Sequence, residues 1–381
     1  MSELKEQLLK AQKRRKLINV YQVNNEVVYT GYVKRVGSQA FILETYNDNG
    51  IRDGGVLLKN VIVDFIETDS FDLDHMKKLI LFADKQKLHH EETELLLPSA
   101  MELTQALLTL LQNQQMLAML ITTRAGKDEQ YQESVVVKFD DQQILVDRID
   151  KYDFQKRRTV VLRADEVVGI EFGGQEMASL TPLLSQMVPA NHVDPQQLVL
   201  TDLPGQLQEL VSSQQLAIVQ PKNNREYFYI GQFLVANASE MIMAMVDGNG
   251  QFGGYVWFRY DDIQQVITTS DYLSVIAAVV AENKSWHRFA APLLNADRAF
   301  DANDNNFLRI IGQSQRTQAV IRFRSLEAGT ITGGVIKRIN KQNATLTVST
   351  VDDDIVQEKN IGLETIVEMA FEYLKTYLAR L

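Results

Sequence analysis

One spacing that recurs four times along this 381-residue chain constrains its fold more than any other feature. In each copy, comparable residues of two β-rich runs lie 32 positions apart. The pairs are Gly31 with Val63, Val135 with Val167, Gly231 with Ile263 and Gly334 with Ile366. A recurrence of about a hundred residues is typical of successive copies of one small structural unit. Four generic strand pairs with coincidental turns stay open as the alternative.

Three of the copies share a short signature after these runs. An apolar-apolar-basic triplet occurs in the first, second and third copies, as 57–59 (Leu-Leu-Lys), 161–163 (Val-Leu-Arg) and 257–259 (Trp-Phe-Arg). It lies just before the last β-rich run of each copy, so we expect it to end the fourth strand of a unit.

Each copy is predicted to consist of a helix and five short strands. Leu4 and Leu8 have the spacing of an amphipathic helix face. The following runs are rich in Val, Ile and Tyr and are separated by turn residues such as 47–50. Bending the sheet into a small barrel protects its edges and buries its apolar face, and a mid-strand glycine such as Gly31 favours the bend. We therefore predict a mainly β chain with flanking helices (α+β), made of four tandem five-stranded barrels.

The predicted units cover residues 1–90, 95–189, 197–285 and 300–381. A second helix ends each unit, as in the apolar runs 73–87 and 271–283. Its wide apolar face needs a partner. Either the barrel of its own unit or the neighbouring unit is expected to cover it.

Composition excludes several classes of protein. The chain has no cysteine, which excludes disulfides, thiolate metal sites and cysteine nucleophiles. No run approaches the roughly 18 apolar residues of a membrane helix. The N-terminus lacks the apolar core of a signal peptide. We predict a cytoplasmic protein with no membrane association.

No motif for catalysis or cofactor binding is recognisable. The chain lacks a phosphate-binding P-loop, a dinucleotide-binding glycine motif after a strand, a nucleophile elbow and a zinc-binding histidine spacing. We therefore predict that it is not an enzyme and has no catalytic residues, no cofactor and no metal site.

Charge is unevenly distributed. The formal net charge is −10, which on a uniform surface would repel nucleic acid. Residues 1–16 nevertheless carry a balance of +4. They form either an ordinary solvated helix face or a contact for a polyanion. Candidate nucleic-acid-binding residues are Lys13, Arg14, Arg15, Lys16, Lys34, Arg35, Lys59 and Asn60.

The first unit resembles the Sm-like family, in its Hfq-like branch. The resemblance rests on Tyr-Gln-Val-Asn at 21–24, Gly31 and Leu-Lys-Asn-Val at 58–61, within a stretch of about seventy residues. It implies a helix followed by a bent five-stranded barrel, association edge to edge into rings, and binding of single-stranded RNA. SH3-like barrels give the same strand pattern.

The chain departs from the family at its RNA pocket. The family's acidic position, six after the bend glycine, holds Gly37, Asp141, Asn237 and Asn340, and its base-contacting asparagine is replaced by Phe41, Leu145, Met241 and Ala344. At Lys59-Asn60 only the lysine matches. Two functions stay open: a non-enzymatic binding or assembly protein that binds single-stranded RNA, and an acidic protein–protein scaffold that uses its sheet edges and binds no nucleic acid. A homodimer is compatible with either.

Overall fold

The structure is a computed structural model in which the chain forms two compact units, Met1–His192 and Val193–Leu381. It describes residues 3–23, 25–88, 97–98, 101–123, 129–222, 227–326, 331–340, 344–352 and 355–378. Asn24, which contributes to the family resemblance, lies outside this range. The two units are described separately below, and the predicted division into four domains stays a prediction.

Unit 1 contains two successive blocks with the same order of elements. Block 1 comprises α1 (Glu3–Arg14), β1 (Leu17–Gln22), β2 (Asn25–Val36), β3 (Ala40–Tyr46), β4 (Arg52–Lys59), β5 (Val63–Glu67) and α2 (Phe71–Gln86). Block 2 comprises α3 (Leu103–Gln114), β6 (Leu117–Thr122), β7 (Gln130–Phe139), β8 (Gln143–Arg148), β9 (Arg158–Arg163), β10 (Val167–Phe172) and α4 (Gln175–Leu180).

Unit 2 repeats this order after one very short strand, β11 (Gln196–Gln197). Block 3 comprises α5 (Leu203–Ser213), β12 (Leu216–Pro221), β13 (Tyr229–Ala236), β14 (Glu240–Val246), β15 (Phe252–Arg259), β16 (Ile263–Thr269) and α6 (Asp271–Ser285). Block 4 comprises α7 (Asn306–Thr317), β17 (Val320–Ser325), β18 (Ile331–Asn340), β19 (Thr345–Asp352), β20 (Ile355–Gly362), β21 (Ile366–Phe371) and α8 (Leu374–Leu378).

The strands form one antiparallel sheet in each unit. The order is β5-β1-β2-β3-β4-β10-β6-β7-β8-β9 in unit 1 and β11-β16-β12-β13-β14-β15-β21-β17-β18-β19-β20 in unit 2. The prediction of a mainly β chain with flanking helices is confirmed. Separate closed barrels are not observed: among the described residues, the fourth strand of a block does not pair with the fifth strand of the same block. In blocks 1 and 3 it pairs with the fifth strand of the next block.

The bend in the second strand occurs at the same place in every block. The pairing of the second and third strands shifts register between Val33 and Arg35, Val136 and Lys138, Phe233 and Val235, and Ile336 and Arg338. In three blocks the residue two before the bulge is a glycine, and a Cβ on Gly31 would lie 1.9 Å from the Glu44 carbonyl oxygen. Block 2 has buried Ser134 there. The residue of block 2 equivalent to Gly31 is therefore Ser134 and not Val135, the residue paired with Val167 in the sequence analysis.

The second helix of a block covers its own sheet where its apolar face is widest. In α6, Leu273 and Ile276 pack with Ile218 of the same block. In α2, Leu73 and Ile80 pack with Leu17. Of the two partners left open by the sequence, these helices pack on the strands of their own block. Within the described part of the chain, no helix combines the length and apolar character needed to span a bilayer.

Candidate functional site

The junction between the two blocks of a unit is built the same way twice. In unit 1, residues 55–58 of β4 pair antiparallel with residues 169–172 of β10. In unit 2, residues 255–258 of β15 pair with residues 368–371 of β21. Each junction therefore satisfies backbone groups that a free sheet edge would expose. The two edges in a junction are different: the fourth strand of the first block in a unit (the leading block) pairs with the fifth strand of the second (the trailing block).

Helix packing reinforces the junction in unit 1. Leu103 and Leu107 of α3 lie in one buried cluster with Ile42 and Leu57, which come from block 1. All four side chains are at most 4% exposed. The first helix of block 2 thus covers the outer face of block 1 as well as its own core.

Unit 2 uses an apolar and a polar contact at the same place. Ile310 of α7 shares a buried cluster with Ile242 and Trp257 of block 3. The buried Glu240 carboxylate accepts hydrogen bonds from the Asn306 side-chain amide at 3.0 Å and from the Trp257 indole at 2.7 Å. These bonds satisfy the buried charge and join the blocks.

The first helices of the leading blocks lack this second contact face. Each first helix is followed by a residue in the left-handed conformation, and the sequences of the four helices can be aligned on this residue. On this alignment, α1 has exposed Glu3 and Gln7 where α3 has Leu103 and Leu107. At the same two positions block 3 has Asp202 and Gln206, both at least partly exposed. Blocks 1 and 3 therefore begin a pair, and blocks 2 and 4 complete one.

A basic residue at the end of the fourth strand ties each junction. Lys59 Nζ donates to the Ala164 carbonyl oxygen at 2.9 Å, and Arg259 Nη1 donates to the Glu364 carbonyl oxygen at 2.5 Å. Both acceptors lie in the turn that precedes the fifth strand of the trailing block. Burial lowers the pKa of Lys59. A charged donor on a partly buried carbonyl makes a strong hydrogen bond.

A tyrosine–glutamate pair lies inside each junction. Tyr29 and Tyr229 stand two residues before the equivalent glycines, and each donates its hydroxyl to a glutamate of the trailing block: Glu171 in unit 1 and Glu368 in unit 2. Burial raises the pKa of Glu171. Glu368 also accepts from Arg324 Nε at 2.8 Å. The carboxylate of unit 2 thus has a cationic partner, whereas Glu171 has none within the described part of unit 1.

Five of the predicted RNA-binding residues contact other protein groups. These contacts are Lys16 with the Asp69 carboxylate at 3.1 Å, Lys34 with the Glu44 carboxylate at 2.9 Å, Arg35 with the Leu97 and Pro98 carbonyl oxygens at 2.8 and 3.0 Å, Lys59 with Ala164, and the Asn60 amide with the Ser38 carbonyl oxygen at 3.3 Å. Each of these five side chains is thus already engaged by a protein group.

The other three candidates, Lys13, Arg14 and Arg15, are exposed at the end of α1. No ion pair holds any of them within the described residues. They are the part of the predicted set that remains accessible to a polyanion.

One outer edge of unit 1 resembles the joined edges. The outermost strands of unit 1 are β5 and β9. On β9, Arg163 occupies the place of Lys59 and Arg259, and Val161 occupies that of Leu57 and Trp257. Val161 is 57% exposed, whereas Leu57 is 1% exposed. Arg163 bonds to exposed Asp165 of its own turn at 2.6 Å.

The corresponding edges of unit 2 are closed or polar. The β11 residues pair with Ile267 and Thr269 and so cover the outer side of β16. On β20, the basic position is Gly362 and the apolar position is Asn360, which accepts from the Thr347 hydroxyl at 2.8 Å. Of the four fourth strands, β9 alone among the described residues combines an exposed apolar residue with a basic end.

The apolar-apolar-basic triplet is therefore the informative signal in the sequence, and the assignment of Lys59 to RNA stays a prediction. The basic residue of the triplet binds a neighbouring block in the first and third copies, whereas the family resemblance assigned Lys59 to RNA. No protein-family model matches the chain, and no curated protein matches it. The Sm-like resemblance accordingly stays a prediction based on block 1.

Proposed function

We propose that this chain is a non-enzymatic assembly protein, made of four tandem Sm-like blocks in two joined pairs, that binds partner proteins at its sheet edges. The observation that carries the proposal is the junction itself. The same strand-to-strand joint occurs in both units, with the same basic tether. The edge of that type on β9 has no further strand paired to it among the described residues of unit 1.

Strand addition is a general mode of protein recognition. The added strand gains backbone hydrogen bonds along its length, and pockets for alternate side chains provide specificity. The chain already joins its own blocks by this kind of strand pairing. Because the blocks are covalently linked, the strand edges that meet inside a unit are fixed. A protein of this kind needs no catalytic group.

The RNA-binding alternative has one supporting observation, the exposed Lys13, Arg14 and Arg15. Against it stand the engagement of Lys34, Arg35 and Lys59 with protein groups and the formal net charge of −10. Repulsion from the acidic bulk of the chain weakens binding of any polyanion. We therefore rank the scaffold above the RNA-binding protein.

The two functions differ in what remains bound after nuclease treatment. The tagged full chain is used to capture proteins from lysate of its source cells, with and without nuclease, and is titrated with single-stranded RNA at low salt. The scaffold predicts specific proteins that stay bound after nuclease and no RNA retention. Loss of all captured proteins on nuclease treatment, together with salt-sensitive RNA binding, would replace it by the RNA-binding alternative.

A further inference from the structure

We propose that the β9 edge binds an extended segment of another protein that carries an apolar residue beside an acidic one, as an added antiparallel strand. This inference rests on the proposed function and names the site and the chemistry of its partner.

The backbone of β9 has donors available on its outer side. The Ala164 N–H donates inward to the Gln142 carbonyl oxygen at 2.9 Å. Because N–H groups alternate along a strand, those of Thr159, Val161 and Arg163 point away from β8. β9 is the last strand of the sheet in unit 1. These three groups are placed to bind the carbonyl oxygens of an incoming strand.

The two existing junctions show what such a strand looks like. Opposite Leu57 and Trp257 lie Ile170 and Met369, both apolar. Two residues further along each incoming strand is a phenylalanine, Phe172 or Phe371. Next to the central apolar residue is a glutamate, which follows it in β10 (Glu171) and precedes it in β21 (Glu368). On β9 the position facing the central apolar residue is Val161.

Charge on β9 favours an acidic partner. Arg148 of β8 and Arg158 of β9 are direct cross-strand partners. Like charges opposite each other destabilise a sheet, and no ion pair neutralises either residue within the described part of the chain. The position opposite Val160 on an added strand corresponds to that of Glu171 in the unit 1 junction. An acidic residue there would lie diagonal to Arg158 and relieve this repulsion.

A second copy of the chain fits the edge less well. Antiparallel pairing of β9 with itself must place outward-pointing residues opposite each other. Centred on Val161, it brings Leu162 of the other copy opposite Val160, where no acidic residue is then available to offset Arg158. Pairing with β5 of a second copy would bring α1 over Val161, with Glu3 and Gln7 where α3 presents leucines. Polar residues do not replace that apolar cover. The edge is therefore suited to a different protein.

A peptide copy of residues 165–173, which includes β10, is the probe. Its binding to the full chain is measured by fluorescence anisotropy, beside a version with lysine in place of Glu171. We expect the acidic peptide to bind, and the lysine version to bind at least about tenfold more weakly. Val161→Pro removes one outward N–H and keeps the hydrogen bonds between β9 and β8. It should therefore weaken binding of the acidic peptide by a similar factor. Val161→Thr keeps the N–H and the branched shape and should bind like the wild type.

Arg158→Glu provides a second test that does not depend on tolerance of proline, because Arg158 is exposed. It should reverse the preference, so that the lysine peptide binds better than the acidic one. Failure of the acidic peptide to bind the wild type, or equal binding to every variant, would overturn the inference. If the Val161→Pro and Arg158→Glu chains still capture the wild type's nuclease-resistant partners, β9 is excluded as the docking edge while the proposed scaffold function stands.

Discussion

Lys59 is the residue whose role the sequence and the structure define most differently. Its position at the end of a fourth strand was predictable from the triplet, and the family resemblance suggested RNA as its ligand. Its acceptor is a backbone carbonyl of block 2. A sequence pattern does not reveal such a contact, because a carbonyl oxygen is present at every residue and pairing between blocks brings this one close.

We predict that Lys59→Met destabilises unit 1 by about 1–3 kcal/mol, the usual cost of losing a charged hydrogen bond to a partly buried carbonyl. The measurement is urea unfolding of the full chain, followed by a probe within residues 1–192. The matched control is Arg163→Met at the equivalent position on β9, where the side chain is 67% exposed. It should change the free energy of unfolding by less than about 0.5 kcal/mol. An equal loss of unfolding free energy in the two variants would contradict the role of Lys59 in joining the blocks.

Glu171 makes the stability of unit 1 depend on pH. Burial raises the pKa of Glu171 above its ordinary value of 4.5. The folded state therefore holds this proton more tightly than the unfolded chain, and the resulting stabilisation is lost as the pH rises through the folded pKa.

Glu171→Gln keeps an acceptor for the Tyr29 hydroxyl and removes the titration. The free energy of unfolding of the variant, relative to wild type, should increase between about pH 4 and about pH 7. Urea titrations at the two pH values measure this difference. Glu133→Gln is the comparison. Glu133 is a second partly buried carboxyl whose pKa is raised by burial, but it binds Lys151 at 2.5 Å. This variant should lose stability at neutral pH because Lys151 loses a charged partner. A pH-independent difference for Glu171→Gln would show that this carboxyl does not titrate anomalously.

At the level of elements, the sequence predicted the positions of helices better than it predicted the surfaces on which they pack. The runs 73–87 and 271–283 correspond to α2 (Phe71–Gln86) and α6 (Asp271–Ser285). The second contact face of α3 was not predictable from its own pattern. An amphipathic helix with one extra leucine row has an ordinary sequence, and the meaning of Leu103 and Leu107 emerges when α3 is compared with α1.

Truncating that second face should weaken the pair. Leu107 is fully buried, and Leu107→Ala is expected to cost about 2–5 kcal/mol, the range for leucine in a packed core. Gln7→Ala at the same position of α1 removes an exposed side chain and should be nearly neutral. Thermal unfolding of the two variants provides the comparison. A neutral Leu107→Ala would mean that the α3 contact with block 1 does not contribute to stability.

For the whole molecule, the period of about a hundred residues predicted four successive helix-and-strand segments. The structure has four blocks with one element order, and their grouping into pairs was not apparent in the sequence. That grouping depends on a few surface positions, where Glu3 and Gln7 replace leucines and where Asn360 replaces an apolar residue. Each substitution alone is compatible with a solvated surface. Their joint effect depends on which edges meet, and strand pairing between blocks decides that.

Amide hydrogen exchange tests the central claim, that the blocks of a unit are joined strand to strand while β9 is left open, most directly. Amides donated across β4–β10 and β15–β21 are buried in ladders, so we predict that they exchange only when the unit unfolds. The outward amides of Thr159, Val161 and Arg163 should exchange faster by orders of magnitude under the same conditions. Rapid exchange of residues 55–58 and 169–172, at the rate seen on β9, would contradict the joint and with it the proposed mode of assembly.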